Sequence, residues 1–335
     1  MNNLKYFTGT IWFALASLVT AFWFLGGATA AVTVGILAVL ELSLSFDNAV
    51  VNAKELASWD EKWKHRFLTW GMVVAVFGMR LVFPVVIVAI VAHMGPIDAL
   101  TLAIKNPKEY AAALTSSHVL VAGFGMAFLT MVFLKFFFDK EKEVHWISFI
   151  EKPLAKLGRL DMFEVAVTLG AVYGFSTFLN GAEATQFMNA GIAGIIAYIA
   201  VDGLGALLGG EENEVATTVA RTGLAGFIYL ELLDASFSLD GVIGAFAISN
   251  NVFVIALGLG VGAFAVRGLT LMMVEKGTLE IFKYLEHGAF YAIAALAVLM
   301  GWGASHEVSE VVTGLIGAGF IGLALISSIV ANKNS

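Results

Sequence analysis

Two short stretches of the chain repeat the same spacing of acidic and hydroxyl side chains. The first, ELSLSFDNAV, covers residues 41–50, and the second, DASFSLDGVI, covers residues 234–243. Both follow the pattern acid-x-Ser-apolar-Ser-apolar-Asp without a gap. The matched polar positions are Glu41 and Asp234, Ser43 and Ser236, Ser45 and Ser238, and Asp47 and Asp240.

Carboxylate, hydroxyl and amide oxygens are the ligands that hard divalent cations such as Mg²⁺, Ca²⁺ and Mn²⁺ prefer. Soft metals favour Cys or Met, and neither motif contains these residues. If the two copies meet, the sequence predicts one oxygen-lined metal site. Its predicted ligands are Glu41, Asp47, Asn48, Asp234 and Asp240, and the four serines are secondary candidates.

The spacing within each motif also predicts a break in its helix. Residues six apart on a regular helix differ by about 120° in direction. One straight helix would therefore not turn Glu41 and Asp47 toward the same ion. We expect each motif helix to be kinked or unwound there, with backbone carbonyls as further ligands. Asn48 and Gly241, directly after the two aspartates, suit such a break.

Other polar residues within apolar segments could serve this site. Arg80 and Arg267 each lie in the segment after a motif, where they could pair with carboxylates that bind no cation or form permanent salt bridges. Glu231 lies one helical turn before Asp234, so it could join the site or a proton path. The remaining polar residues, which fit interfacial or helix-end positions better, are His118, Glu164, Asn180, Glu183, Asp202, His287 and Glu310.

The composition is that of a polytopic helical membrane protein. Of the 335 residues, 59% are hydrophobic and 13% are charged, whereas a soluble domain carries about 25% charged residues. The chain has no cysteine, which excludes disulfides, thiolate metal sites and thiol catalysis. Its net charge of −7 and scattered lysines give no nucleic-acid signature.

The apolar pattern predicts an all-α protein with about ten transmembrane helices, because one span needs about 20 mostly apolar residues. The segments cover approximately residues 7–26, 29–53, 68–94, 112–138, 163–184, 187–209, 216–247, 251–274, 286–303 and 309–331. A cytoplasmic N-terminus places 13 lysine and arginine residues in inner loops and only Lys105 and Lys108 outside. This bias predicts a cell (inner) membrane protein with both termini in the cytoplasm.

The repeated motif divides these segments into two halves. Residues 1–185 are predicted to form the first five-helix repeat and residues 186–335 the second, within one integral membrane domain. Since five is odd, the halves enter the membrane from opposite sides, which is the inverted-topology repeat of many secondary transporters. The first segment could alternatively be a cleaved signal peptide, since Lys5 and Ala28-Thr29-Ala30 resemble its ends. The repeat argues against cleavage because it requires a first helix.

The stretches ELSLSFDNAV and LELLDASFSLDGVIGAFAI, residues 230–248, resemble the two signature motifs of the TerC family of integral membrane proteins. The resemblance covers about residues 30 to 330 and is strongest to a branch long filed as a domain of unknown function. It implies divalent metal handling, chiefly Mn²⁺ export, with the motif carboxylates and Asn48 as ligands. The chain departs from the family pattern at Gly241 and in a longer central region, which carries Asn180, Glu183 and Asp202.

The leading hypothesis is a secondary transporter that exports a divalent cation through the paired carboxylates. Mn²⁺ is favoured, Ca²⁺ or Mg²⁺ are alternatives, and protons are the candidate coupling ion. The expected partners are the lipid bilayer, the cation and protons, with no organic cofactor and no nucleic acid. We expect no enzyme activity, although paired aspartates could act as acid and base in an intramembrane hydrolase. A metal-binding scaffold or assembly factor without transport, and a carrier of another substrate, are further alternatives.

Overall fold

The computed structural model describes residues 3–160, 162–208, 223–249 and 251–333, without the side chains of residues 205–208, 239, 240, 247 and 310. This part of the chain is helical and has no β-strand. The α-helices are α1 (Thr8–Thr20), α2 (Gly27–Leu44), α3 (Phe46–Ala57), α4 (Glu61–Arg66), α5 (Phe83–Val91), α6 (Pro96–Lys105), α7 (Pro107–Ser116), α8 (His118–Phe137), α9 (Ser148–Leu157), α10 (Phe163–Ser176), α11 (Gly181–Leu208), α12 (Gly223–Ile248), α13 (Val252–Glu275), α14 (Thr278–Ile281), α15 (Leu285–Gly303) and α16 (Glu310–Lys333). Tighter or wider helical turns cover Asn3–Phe7, Ala21–Gly26, Phe67–Gly71 and Val74–Val82.

Seven helical stretches within the described residues are long and apolar enough to cross a membrane. They are Asn3–Leu44, Glu61–Val91, His118–Phe137, Gly181–Leu204, Val252–Glu275, Leu285–Gly303 and Val311–Lys333. The predicted class, an all-α integral membrane protein, is therefore confirmed. The number of ten spans and the division into two five-helix repeats remain predictions.

Three features of the structure explain why it contains seven membrane-capable stretches where the sequence predicts ten transmembrane helices. The stretch Asn3–Leu44 turns back on itself at Gly26 and Gly27, whose φ angles are +145° and +69°, so that α1 packs against α2. Glycine has no Cβ and adopts such backbone angles with little strain. Helix α10 is apolar but only 14 residues long. Helix α12 has 26 residues but carries three acidic residues in its apolar sequence.

The main hydrophobic core lies where α8 packs against α11, α12 and α15. At its centre the ring of Phe128 lies 5.8 Å from the Tyr198 ring and 6.4 Å from the Tyr229 ring. Gly123 and Gly194 let α8 and α11 approach closely, because a Cβ on either would lie 2.5 Å from a carbonyl oxygen of the facing helix. This core holds α12, which carries the second motif.

Helix α2, which carries the first motif, packs against α13 through two glycines. A Cβ added to Gly258 would lie 2.6 Å from Leu37 Cβ, and one added to Gly262 would lie 2.5 Å from Glu41 Cβ and Cγ. Glycines four residues apart on a membrane helix allow such close backbone approach. Gly262 therefore fixes the distance between α13 and the Glu41 side chain.

We expect Gly262→Ala to destabilise the protein by about 1–3 kcal/mol, because the added methyl group overpacks the contact with Glu41. Gly319→Ala in α16 is the matched control, since a Cβ there meets nothing within 4 Å. Thermal unfolding of the purified protein in detergent measures both effects. A Gly262→Ala variant as stable as Gly319→Ala would show that α2 and α13 are not held this closely.

Candidate functional site

The first motif interrupts its helix at a single residue. Helix α2 ends at Leu44, Ser45 has φ −104° and ψ +19°, and α3 begins at Phe46. Hydrogen bonding continues across this point, because the Ser45 N–H donates to the Glu41 carbonyl oxygen at 3.0 Å. Glu41 therefore lies in the last turn of α2 and Asp47 in the first turn of α3. The expected break occurs here, but the chain is not unwound.

The second motif lies entirely within α12, so the helix is not unwound there. Gly241 is helical, and its lack of a side chain lets Glu41 approach α12 closely. A Cβ at this position would lie 3.3 Å from Glu41 Oε2, the carboxylate oxygen of the other motif. The missing side chain leaves room for Glu41 beside α12.

A buried ion cluster joins the two motifs through Arg80, which lies in the π-helical segment Val74–Val82. The guanidinium contacts Glu41 Oε1 and lies 3.5 Å from Asp234 Oδ2. The side chains of Arg80, Glu41 and Asp234 are 1%, 2% and 14% exposed, respectively. Arg80 also donates to the carbonyl oxygen of Ala75. Wide π-turns are frequent at functional sites, where they redirect a side chain out of regular helical register.

Three neutral side chains also donate hydrogen bonds to these carboxylates. Ser45 donates to Glu41 Oε1 at 3.2 Å, Asn48 donates to Asp234 Oδ1 at 2.8 Å, and Ser238 donates to Asp234 Oδ2 at 3.4 Å. The Asn48 bond links the first motif directly to the second. These residues form what we call the Arg80 cluster, which consists of Glu41, Ser45, Asn48, Arg80, Asp234 and Ser238.

Several predicted site residues lie outside this cluster. Asp47 is buried but faces away, and its Oδ1 accepts from the Asn48 N–H at 2.9 Å. Ser43 is exposed and bonds to the carbonyl oxygen of Val39, and Ser236 bonds to that of Leu232. Asp240 lies in α12, with its side chain outside the described part of the structure.

Of the four predicted carboxylate ligands, Glu41, Asp47 and Asp234 do not converge on one metal-ion position, and the Asp240 side chain lies outside the described residues. Among the described residues, no group of three or more His, Asp or Glu side chains is close enough to hold a metal ion. The physical reason is visible at the motifs, because the guanidinium of Arg80 bridges Glu41 and Asp234 while Asp47 turns to the other side. Predicted ligand residues from both halves are nevertheless in contact, because the Asn48 amide N–H donates to Asp234.

A large and a small cavity border the two motifs. The large cavity, about 750 Å³, is lined by Asp47 and Gly241, by His118 at the start of α8, and by the loop between α15 and α16. The small cavity, about 40 Å³, is lined by Arg80, Asp234, Asn52, Glu231 and Arg267. The Arg80 cluster therefore has a large cavity near Asp47 and a small one near Glu231.

Three residues that line the small cavity each carry a buried polar atom without a hydrogen-bond partner among the described residues. Glu231 Oε2, Asn52 Oδ1 and Arg267 Nε are buried and make no hydrogen bond within the residues that the structure covers. A volume of about 40 Å³ is enough for about one water molecule, which needs a few polar partners. Glu231 and Arg267 thus lie beside the cluster, as neighbours of Arg80 and Asp234.

The other polar residues noted in the sequence lie elsewhere. Asn180 and Glu183 are exposed, as expected for interfacial residues. Asp202 lies 4.0 Å from Lys135 on the surface. Glu164 lies in the first turn of α10, and the Glu310 side chain is outside the described residues.

One buried charged residue was missed by sequence reasoning. Glu151 of α9 is completely buried and has two histidines and a lysine around its carboxylate. The available signal was weak, because an acid within a short lysine-containing helix is usually solvated. His287, which was expected to be an interfacial residue, is in fact buried against Glu151.

The family model described as "Protein of unknown function (DUF475)" matches residues 46–335. Comparisons with curated proteins and with solved structures found no match. The matched region includes Asn48, Arg80 and Asp234, whereas Glu41 and Ser45 lie directly before it. Since the match covers most of the chain, this protein belongs to the DUF475 family.

Proposed function

We propose that this protein is a secondary transporter that exports a divalent cation, most favourably Mn²⁺, in exchange for protons. The observation that carries the proposal is the position of Asp47. It lines the large cavity, while the adjacent residue, Asn48, binds Asp234 of the Arg80 cluster. A cation held at Asp47 would therefore lie next to Asn48, which is hydrogen-bonded to the Asp234 carboxylate of the second motif.

Arg80 supports a role in exchange. Its guanidinium balances one of the two carboxylates that it contacts, and Asp47 adds a further acid nearby. A divalent cation can replace the positive charge of Arg80 if the guanidinium moves away from Glu41 and Asp234. Intramembrane charges that exchange partners in this way are typical of ion pathways. Asp47, Asn48 and Asp240 would then complete the oxygen ligands.

The helix packing supports the inverted repeat. Helix α2, with the first motif, packs against α13, which is the helix that follows the second motif. Reciprocally, α12 packs against the π-helical segment Val74–Val82, which follows the first motif. An inverted repeat would relate these two contacts by a pseudo-two-fold axis between the halves. The match to a family of unknown function is compatible with the resemblance to TerC proteins.

The charge bias of the loops assigns each cavity to one side of the membrane. With both termini in the cytoplasm, the loop between α15 and α16 lies outside, and the large cavity opens there. The small cavity lies on the cytoplasmic side, near Phe67 and Leu68. This arrangement corresponds to an outward-facing state of an exporter, in which Asp47 is accessible for release.

The test is Mn²⁺ flux into proteoliposomes that contain a trapped fluorescent metal indicator. We expect Asp47→Asn and Asp234→Asn to reduce the flux by at least about tenfold, or about 1.4 kcal/mol in transition-state terms. Ser43→Ala is the matched control, because Ser43 is exposed and bonds only to its own helix. Imposing a proton gradient should accelerate the wild-type flux.

Each alternative gives a different result. Flux that is unchanged in Asp47→Asn removes this residue from the pathway. Zero flux in the wild type, together with a melting temperature that rises with Mn²⁺, indicates a metal-binding scaffold instead. Equal flux with and without the gradient contradicts proton exchange but leaves cation export in place.

A further inference from the structure

Helix α9 lies against the ends of two membrane-spanning helices. A Cβ on Gly158, directly after α9, would overlap the carbonyl oxygen of Phe138, directly after α8. Glu151 of α9 contacts His287 and Tyr291, near the start of α15. Since one end of each spanning helix lies here, α9 is held at the level of a membrane surface.

The orientation of α9 is set by its buried acid. Glu151 is 0% exposed and accepts the backbone N–H groups of Trp146 and Ile147 at 3.2 and 3.1 Å. The Tyr291 hydroxyl donates to Glu151 Oε1 at 3.3 Å, and His287 Nδ1 lies 3.0 Å from Oε2. These contacts come from two different directions, so they fix which face of α9 is turned inward.

Two cationic or basic groups from the preceding loop reinforce this contact. Lys142 Nζ and His145 Nδ1 lie 3.4 and 3.5 Å from Glu151 Oε2. The Lys142 ammonium also lies 3.8 Å from the Phe136 ring centroid. Lys142 and His145 therefore lie against Glu151 and do not belong to the exposed face of α9.

The opposite face of α9 carries an aromatic ring followed by lysines. Phe149 is 80% exposed, and Lys152 and Lys156 are also exposed. These positions are three and four residues apart, which places them on one side of the helix. Arg159 and Leu160, directly after α9, are exposed as well. The only acidic residue of α9, Glu151, is buried on the inner face.

We propose that this face of α9, defined by Phe149, Lys152 and Lys156, binds anionic phospholipid headgroups at the membrane surface. Phe149 enters the boundary between headgroups and acyl chains, and the two lysines pair with lipid phosphates. An in-plane helix with an aromatic anchor and basic side chains is attracted to anionic lipids in this way. Charge complementarity selects this partner, because no acid lies on the face to repel it.

The absence of cysteine makes a direct test simple. Phe149→Cys is labelled with an environment-sensitive fluorophore, and the full-length protein is reconstituted into phosphatidylcholine vesicles with or without about one-quarter phosphatidylglycerol. We expect a blue shift of the emission that grows with the anionic lipid. Adding Lys152→Gln and Lys156→Gln should weaken the response by about fivefold for each lysine.

Ile97→Cys provides the control, because Ile97 is exposed on α6, far from α9 in sequence, and its label should not respond to these lysine changes. Water-like emission from position 149 in both vesicle types overturns the proposal and leaves this face to a soluble partner. A blue shift that is independent of phosphatidylglycerol, or one that survives the lysine substitutions, contradicts the role of headgroup charge.

Discussion

Replacing Arg80 with methionine is expected to destabilise the protein by about 3–5 kcal/mol, because it leaves two buried carboxylates without their positive partner. The Glu41 side chain is 2% exposed and that of Asp234 is 14% exposed, so little water can solvate their charges. Thermal unfolding in detergent measures this loss. Arg159→Met, which removes an exposed arginine, should leave the stability nearly unchanged.

A double-mutant cycle separates charge from packing in the Arg80 cluster. If the cost of Arg80→Met comes from unpaired carboxylates, then Glu41→Gln in the same chain should recover a large part of it. If the double variant is no more stable than Arg80→Met alone, the lost stability comes from the volume of the side chain and not from its charge. An Arg80→Met variant as stable as the wild type would contradict the ion pairs themselves.

The same variant also tests the exchange step of the proposed function. Without the guanidinium, the carboxyl oxygens of Glu41 and Asp234 have no bound cation, so Mn²⁺ should raise the melting temperature of Arg80→Met more than that of the wild type. The variant should nevertheless transport slowly, because the charge that returns to the carboxylates after ion release is missing. Stronger stabilisation by metal together with weaker flux is a result that a purely structural salt bridge does not produce.

Much of the Arg80 cluster could be predicted because polar groups inside an apolar segment have few ways to be satisfied. The repeat identified Glu41 and Asp234 as equivalent positions in the two halves, and Arg80 and Arg267 were the candidates for pairing with carboxylates. What the motif could not give was the direction of each side chain. The single interrupted residue, Ser45, turns Asp47 toward the large cavity, and that turn depends on local backbone angles.

Tertiary contacts decide the features that the sequence did not predict. Gly241 looked like a helix breaker, but its function is to accommodate Glu41 from another helix, which only the packed structure reveals. The burial of Glu151 was equally hard to predict, because its partners His287 and Tyr291 are more than 130 residues away in the sequence. In both cases the local sequence is compatible with several environments, and long-range packing selects one.

Glu151→Gln is expected to cost on the order of 3 kcal/mol at neutral pH, since the neutral amide cannot pair with the basic groups around it. Burial alone would raise the pKa of Glu151. The hydrogen bond from His287, the Ile147 N–H and the charge of Lys142 outweigh burial and lower this pKa from 4.5 to about 2. The carboxylate is therefore strongly favoured in the folded protein.

The sign of the pH dependence follows from this lowered pKa. Because the folded value lies below the unfolded one, the stabilisation is fully present above about pH 4.5 and is lost as the pH falls toward about 2. The difference in unfolding free energy between the wild type and Glu151→Gln should shrink over that range. Glu143→Gln, which changes an exposed acid in the preceding loop, should show no such difference.

Hydrogen exchange locates the effect within the chain. Burial lowers the pKa of Lys142 to about 8 even though Glu151 favours its charged form, so removing the carboxylate makes the buried ammonium less favourable still. The segment from Lys142 to α9 should then exchange faster in Glu151→Gln, while α8 keeps its protection. Faster exchange throughout the protein would mean that Glu151 stabilises the whole fold. Unchanged exchange in α9 would mean that the Glu151 contacts do not hold this helix against α15.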